Sequence, residues 1–398
     1  MARQIVVGID IGTSQTKVII AQAGDGGAGP RIIGTGLSPS RGVERGYITD
    51  SHEAALAVRA AVAQAEKTSN ARVKRAYVSF GGVGLGSLST TGSVAITRAD
   101  LEITDRDLAL AMEAAEAAIP PAASLNKRIV NSIPVEYKID GKIAWGEPVG
   151  LKAQKLEIKA LFITCLEHHL SDLIKTVEEA GVEVIDVVAA PIAASCVTIS
   201  KKQRRVGCLL ADIGAETFSV IAFENGNPTS LEVFPIGGED ITNDIALGLK
   251  VPLEEAEDVK RGGFSRSSYS KKKLEEVIEA RLGDCFELVE NHLKKIGRNE
   301  LLPAGIIMTG GGAATTGLKL FAEESLSLPA QVADIHFGGS AQSKIKDTIW
   351  ATACGLSLLG FNASEDVRIL GGRSGALTGA DGSRIVRKIS RWVSQFLP

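Results

Sequence analysis

The segment Asp10-Ile11-Gly12-Thr13-Ser14-Gln15-Thr16-Lys17 brings a carboxylate, hydroxyls, an ammonium group and a glycine into eight consecutive positions. Apolar runs at 5–9 and 18–21 flank it, so two β-branched strands should form a hairpin with this polar stretch at its tip. A tip of that composition can cradle a phosphate. Gly12 lets the backbone approach an anion, Thr13 and Ser14 donate hydrogen bonds, Lys17 supplies positive charge, and Asp10 can hold a metal ion through water. An Asp-x-Gly-Thr tip is equally an ordinary hairpin, and the segment by itself leaves both readings open.

A second copy adds weight to the first. Residues 208–221 repeat the plan of apolar strand, Asp212-Ile213-Gly214, short tip Ala215-Glu216-Thr217 and apolar strand. Two copies in matching contexts suggest two similar halves facing one nucleotide. A third site follows at Gly310-Gly311-Gly312, where the strand Ile306-Ile307-Met308-Thr309 runs into a glycine turn and then a helix. Between the last two, Gly237 and Gly238 mark a strand-to-helix junction. The short helix from Leu253 to Lys260 sets Glu257 and Lys260 on one face at i,i+3, a spacing that an ordinary surface salt bridge also explains.

Hairpin, hairpin and glycine turn in this order resemble the actin, Hsp70 and sugar-kinase superfamily. The resemblance implies an α/β, actin-like fold of two ribonuclease-H-like lobes around a nucleotide cleft, with ATP and Mg²⁺ as cofactors. It assigns Gly12, Thr13, Ser14 and Lys17, with Gly214, Ala215, Glu216 and Thr217, to the phosphates. Gly310, Gly311 and Gly312 would meet the nucleoside, with Gly237, Gly238, Glu257 and Lys260 also at the nucleotide and the last pair at ribose and adenine. Asp10 and Asp212 would orient Mg²⁺ through water and are the candidate catalytic carboxylates. Hydrolysis also needs a positioned water. Relatives carry Glu or Gln just before the helix that crosses between lobes, where this chain has Ala190, so at most a slow ATPase is expected. Glu216 is read as a solvated tip residue.

The remaining elements must hold these sites in place. A chain of 398 residues suits two lobes, and 44% hydrophobic with 23% charged residues is ordinary for a soluble globular protein. Five cysteines without a Cys-x-x-Cys pair read as reduced cytosolic thiols, and no apolar run approaches the ~18 residues that span a bilayer. A third strand is expected at 31–37. Asp50 and Glu53 stand at capping-box spacing before a helix through Lys67, and a strand follows at 72–80. From 81 to 165 the pattern changes to a compact α+β insert. It holds a short strand at 92–96, a helix from a Thr104 cap to Ala118 stopped by Pro120-Pro121, and strands at 128–139 and 155–164. His168 and His169, about 100° apart on the next helix, read as surface histidines. The small-residue stretches 189–196 and 347–356 should pack as a tight helix pair.

These boundaries divide the chain into a first lobe (1–80, 166–205 and 346–362), the insert (81–165), a second-lobe core (206–237 and 304–345), a helical subdomain (238–303), a linker (363–382) and a terminal helix (383–398). An insert at this point in the order is similar to that of the bacterial cell-division protein FtsA family. So are the phrases Ser38-Pro39-Ser40-Arg41-Gly42, Pro134-Val135-Glu136-Tyr137 and Ile139-Asp140-Gly141. That resemblance implies a scaffold at the division septum. It would self-assemble into actin-like filaments on the cytoplasmic side of the membrane and tether FtsZ, with no nucleic-acid partner. FtsZ presents an acidic-apolar C-terminal peptide in this family, and Arg281 on the helix 279–286 is the candidate anchor, a solvated arginine being the alternative. A PilM-like pilus-assembly protein and a sugar or acid kinase share the fold. No Asp motif in the insert clearly offers a sugar-pocket carboxylate.

The C-terminus carries its own signal. Five glycines between 371 and 382 read as a linker, after which Ser383 can cap a helix. At about 100° per residue, Ile385, Val386, Ile389, Trp392, Val393, Phe396 and Leu397 fall within roughly 140° of arc. Arg384, Arg387, Lys388 and Arg391 take the other side. The chain's −3 less this tail's +4 leaves −7 on the body, so the tail reads as an in-plane helix for an anionic membrane surface.

Overall fold

The computed structural model describes residues 4–24, 29–263, 269–338 and 345–369, with side-chain surroundings described through 362. Strands β1 (Ile5–Ile11) and β2 (Gln15–Gln22) pair antiparallel from Ile5–Gln22 to Ile11–Thr16, which leaves 12–14 as the turn. β3 (Arg31–Pro39) joins β2, and the miniature hairpin β4 (Val43–Glu44) and β5 (Tyr47–Ile48) follows. α1 (Ser51–Ser69) starts where the sequence places it, because the Asp50 carboxylate accepts from the Glu53 N–H. Its alanine-rich face lies so close to β3 that a Cβ on Gly36 would overlap the Ala61 carbonyl. β6 (Arg75–Phe80) runs parallel beside β1.

The insert comprises β7 (Gly86–Ala95), α2 (Asp105–Ala117), α3 (Pro121–Ser124), β8 (Lys127–Ile139), β9 (Lys142–Ala144) and β10 (Lys155–Leu166). Ile103, Leu156, Ile158 and Phe162 form a core of its own beneath α2. β7 begins at Gly86, before the expected 92, because its Gly/Ser/Thr-rich first half, which reads as loop, is held residue by residue against β10. α4 (Glu167–Glu179), β11 (Glu183–Ala189), α5 (Ala190–Thr198) and α6 (Lys201–Val206) lead out of the first lobe.

The second half repeats the first. β12 (Cys208–Ile213), β13 (Phe218–Glu224) and β14 (Asn227–Phe234) form an antiparallel meander; α7 (Gly238–Leu249), α8 (Leu253–Lys260) and α9 (Lys271–Lys295) follow. β15 (Ile306–Thr309), α10 (Leu318–Leu326), β16 (Ala330–Val332) and α11 (Ala351–Ile369) complete the order. The first sheet runs β11-β6-β1-β2-β3, and the first five strands of the nine-stranded sheet run β16-β15-β12-β13-β14, the same arrangement. Both have a central strand with an antiparallel neighbour on one side and a parallel one on the other. The insert strands extend that second sheet through the single pair Glu232–Gly86.

α5 and α11 pack backbone to backbone between the two sheets. A Cβ on Gly355 would overlap the Ala193 carbonyl oxygen, and one on Gly8 would sit 2.5 Å from the Ala353 carbonyl oxygen. Small residues are therefore required there. The equivalent ends of β1 and β12 both open into the space beside this helix pair.

Candidate functional site

A cleft of about 840 Å³ opens where the two hairpin tips converge. In the first tip the Gly12 N–H closes the turn on the Gln15 carbonyl at 3.2 Å. Lys17 Nζ stands 3.2 Å from Asp10 Oδ2 and 3.3 Å from the Gln15 carbonyl, while Ser79 Oγ donates to Asp10 Oδ1 at 2.7 Å. The second tip closes the same way, with Gly214 N–H donating to the Thr217 carbonyl at 2.8 Å. α7 then docks its first turn onto that tip, Gly238 N–H to the Gly214 carbonyl at 2.9 Å and Glu239 N–H to the Ala215 carbonyl at 2.8 Å. This approach requires glycine at 237, where a Cβ would overlap the Ala215 carbonyl. The start of α7 therefore lies at the cleft with its first two N–H groups engaged by the tip and the Asp240 carboxylate accepting from the Gly237 N–H at 2.8 Å.

Gly310 has φ of 84°, and a Cβ there would overlap Asp212 Oδ1. The glycine turn thus closes over the second aspartate, and Thr348 Oγ1 fixes it by donating to the Gly310 carbonyl at 2.8 Å. Burial raises the Asp212 carboxyl and Asp10 raises it further, against Lys17 and a Thr352 hydrogen bond, to about 6. Two carboxylates facing one cleft, one of them short of compensating positive charge, suit a hydrated divalent cation. Among the described residues no group of three or more His, Cys, Asp or Glu is placed to hold a metal ion, so contact through water fits the donor set better than a full protein cage.

On the far wall Glu257 Oε2 lies 2.5 Å from Lys260 Nζ and accepts from Thr242 Oγ1 at 2.6 Å, while Arg261 Nε donates to Oε1 at 2.8 Å. Lys260 Nζ also donates to the Gly238 carbonyl at 2.9 Å. Burial works to raise the Glu257 carboxyl, but the Lys260 and Thr242 hydrogen bonds hold it below its ordinary value. Burial likewise lowers the Lys260 ammonium despite Glu257. The pair is no surface salt bridge: the Lys260 side chain is 4% exposed.

The cleft brings together Asp10, Gly12, Thr13, Ser14 and Lys17 from the first tip and Asp212, Gly214, Ala215 and Thr217 from the second. Gly238, Glu257, Lys260, Gly310, Gly311 and Gly312 line the same space. Glu216 and Gly237 do not line it. Glu216 is half-buried rather than solvated, its Oε2 accepting the Arg45 N–H at 2.6 Å. His169 departs from the surface reading too: its ring stacks on Tyr47 with centroids 3.6 Å apart. Arg281 Nε and Nη2 donate to Asp244 at 2.6 and 3.2 Å, and Nη1 to Asp284 at 3.1 Å. Thr242, Asn243, Thr348 and Thr352 line the cleft without having been singled out in the sequence. The first two stand on α7 one turn beyond the glycine junction, which was a usable signal; the latter two sit in a stretch that reads only as helix packing. Ile385, Ile389, Trp392, Val393, Phe396, Arg387, Lys388 and Arg391 lie outside the described residues. No described helix is long and apolar enough to cross a membrane.

Comparison with known proteins gives a consistent picture. Residues 209–355 match the profile of the family described as cell division protein FtsA, and residues 82–164 that of the SHS2 domain inserted in FTSA. Cell division protein FtsA of Bacillus subtilis (strain 168) is 32% identical over 393 residues, covering 94% of this chain and 86% of that protein. Its counterpart in Escherichia coli (strain K12) is 27% identical, covering 89% of this chain and 90% of that protein. Among solved structures, the PilM-PilN type IV pilus biogenesis complex aligns with a TM-score of 0.63 at 16% identity, covering 89% of this chain and 98% of that one. MreB5 of Spiroplasma citri bound to ADP aligns at 0.52 and 13% identity, covering 93% and 99%. At such identities the likeness is one of fold, the actin-like ATPase fold.

Proposed function

Because this chain belongs to the FtsA family of cell-division proteins, we propose that it is an ATP-binding, actin-like scaffold that polymerises at the inner face of the cytoplasmic membrane and tethers FtsZ there. The observation that carries the nucleotide part is the pair of Asp-Ile-Gly tips, closed by the same hydrogen bond and opening into one cleft. In this reading the tip amides, Thr13, Ser14 and Thr217 hold the β- and γ-phosphates, Lys17 offsets their charge, and Glu257 with Lys260 faces the nucleoside. Mg²⁺ supplies charge neutralisation at the phosphates, and Asp10 and Asp212 orient its water shell. Ala190 lines the cleft at the head of α5 and offers no polar side chain to position a water, which supports slow turnover. In this reading the lobes, the insert and the helical subdomain keep the bounds expected from the sequence, except that α11 continues to Ile369, into the stretch 363–382 read as linker; the tail lies on the membrane, and Arg281 is on the face that receives the FtsZ peptide.

Co-sedimentation with anionic vesicles and FtsZ, with and without ATP, tests the proposal. FtsZ should pellet with vesicles only when this protein is present. A kinase or a pilus-assembly protein on the same fold would leave FtsZ in the supernatant.

A further inference from the structure

The turn between β4 and β5 sends two successive backbone N–H groups to the two phosphate tips. Arg45 (φ 49°) and Gly46 (φ 76°) are both left-handed, as a tight two-residue hairpin turn demands. Arg45 N–H donates to Glu216 Oε2 at 2.6 Å on the second tip, and Gly46 N–H donates to Thr13 Oγ1 at 3.3 Å on the first. Gly46 also lines the cleft. One turn therefore bridges both halves of the site.

The same turn grips the insert at both of its roots. Where the chain leads into the insert, Val83 N–H donates to the Arg45 carbonyl at 3.1 Å, and a Cβ on Gly46 would lie 2.6 Å from Gly82 Cα. Where the chain leaves it, β10 passes directly into α4, and His169 of α4 stacks on Tyr47 with ring planes 12° apart. Tyr47 also meets Phe80, the last residue of β6, at 6.5 Å. On its other side the insert meets β14 through the pair Glu232–Gly86, through Ser87 Oγ, which bonds both the N–H and the carbonyl of Leu231, and through Asn227 Nδ2, which donates to the Val135 carbonyl, so the insert contacts both halves of the molecule.

We infer that the Arg45-Gly46-Tyr47 turn is the element through which a triphosphate in the cleft sets the orientation of the insert. The inference rests on the nucleotide reading above. A hydroxyl has one proton and two lone pairs. When the Thr13 proton goes to a γ-phosphate oxygen, the same oxygen still accepts from Gly46, and bonds in series polarise one another. A diphosphate lacks that acceptor, so the long Gly46–Thr13 bond strengthens only with a triphosphate. That difference between bound states is what a conformational shift requires. Glu216 pulls the second tip onto the same turn, and Tyr47, held between Gly82 and His169, passes the movement to the insert.

Spin labels at W145C, on the 91% exposed tryptophan of the insert, and at K319C, on exposed α10 of the second lobe, report the distance between the two bodies. In the otherwise unaltered protein the distance distribution should differ between Mg-ATP and Mg-ADP. Tyr47→Leu and His169→Ala should each abolish that difference while ATP affinity stays within threefold, and Tyr47→Phe, which keeps the ring, should preserve it. Using two uncoupling variants guards against one that fails to fold. An ATP-dependent shift of full size in both Tyr47→Leu and His169→Ala, or no shift in an unaltered protein shown to bind ATP, overturns the inference. Failure of ATP to bind the unaltered protein overturns the nucleotide reading itself.

Discussion

Asp10 and Asp212 hold the same place in two copies of one hairpin but have different partners across the strand pair. Asp10 stands opposite Lys17, which pairs with it at 3.2 Å; Asp212 stands opposite Ser219 and has no cation of its own. Half-buried in the cleft and facing Asp10, the Asp212 carboxyl is pushed up by desolvation and by Asp10 to about 6.

That asymmetry gives a pH dependence with a definite sign. A carboxyl raised above its ordinary ~3.9 stabilises the fold below that value, and the contribution is lost as pH rises through about 6. Mg²⁺ needs the ionised form, so metal-dependent affinity runs the other way and falls as pH drops below about 6. Mg-ATP affinity measured by calorimetry should fall about tenfold from pH 7 to pH 5. Asp212→Asn should bind more weakly and show a flat profile, whereas Ser14→Ala should keep the slope. A sloping profile in Asp212→Asn would remove Asp212 from the metal site.

The hairpins, the Asp50 cap and the limits of α2 could be read in the sequence because each depends on neighbours within a few positions, whereas α11 runs on to Ile369, well past the expected 347–356. The Asp50 carboxylate meets an N–H three residues on, and a glycine tip needs only its own two strands. What escaped is what the fold brings together from afar. Glu216 and Arg45 are 171 positions apart, and nothing local distinguishes a bridging glutamate from a solvated one. The same holds for the Tyr47–His169 stack and for Thr348 over Gly310. In the Glu257–Lys260 pair the spacing was legible and the burial was not, since burial comes from α7 packing over α8.

Burial of that pair makes it sensitive to truncation. Glu257→Ala leaves the Lys260 ammonium 4% exposed with only the Gly238 carbonyl and Thr242 for partners. Glu257 is itself 37% exposed, so water relieves part of the penalty, and a loss of about 1–3 kcal/mol is expected. Urea unfolding should show a lower midpoint with an unchanged slope, and Glu257→Gln should fall between the two. An unchanged midpoint in Glu257→Ala would mean that the pair contributes nothing to stability.

Arg281 is engaged with Asp244 through two nitrogens, so an acidic peptide on this face has to displace that carboxylate. Asp244→Asn should therefore strengthen binding of the acidic-apolar FtsZ tail peptide, and Arg281→Glu should weaken it. With both side chains about one-third exposed, each change should be about fivefold, close to 1 kcal/mol. Fluorescence anisotropy with a labelled peptide reads both. If the two substitutions shift affinity in the same direction, or neither does, Arg281 is not the anchor.

The terminal segment 383–398 carries a prediction that needs only its sequence. It has four cations and no acidic side chain, and if it is helical, as its spacing suggests, Trp392, Val393 and Phe396 fall on the side away from the charges. Contacts of basic groups with an acidic lipid surface contribute about 1 kcal/mol each, and buried apolar side chains about 1.5–3 kcal/mol each before ordering costs. The apolar face should therefore dominate binding, with salt weakening it only in part. Truncation after Gly382, or Trp392→Glu alone, should release the protein from anionic vesicles and leave Mg-ATP affinity intact, whereas Arg387→Gln should reduce vesicle binding by less than Trp392→Glu. Vesicle flotation compares the three variants directly. Undiminished flotation of the truncated chain would place the membrane contact elsewhere on the molecule.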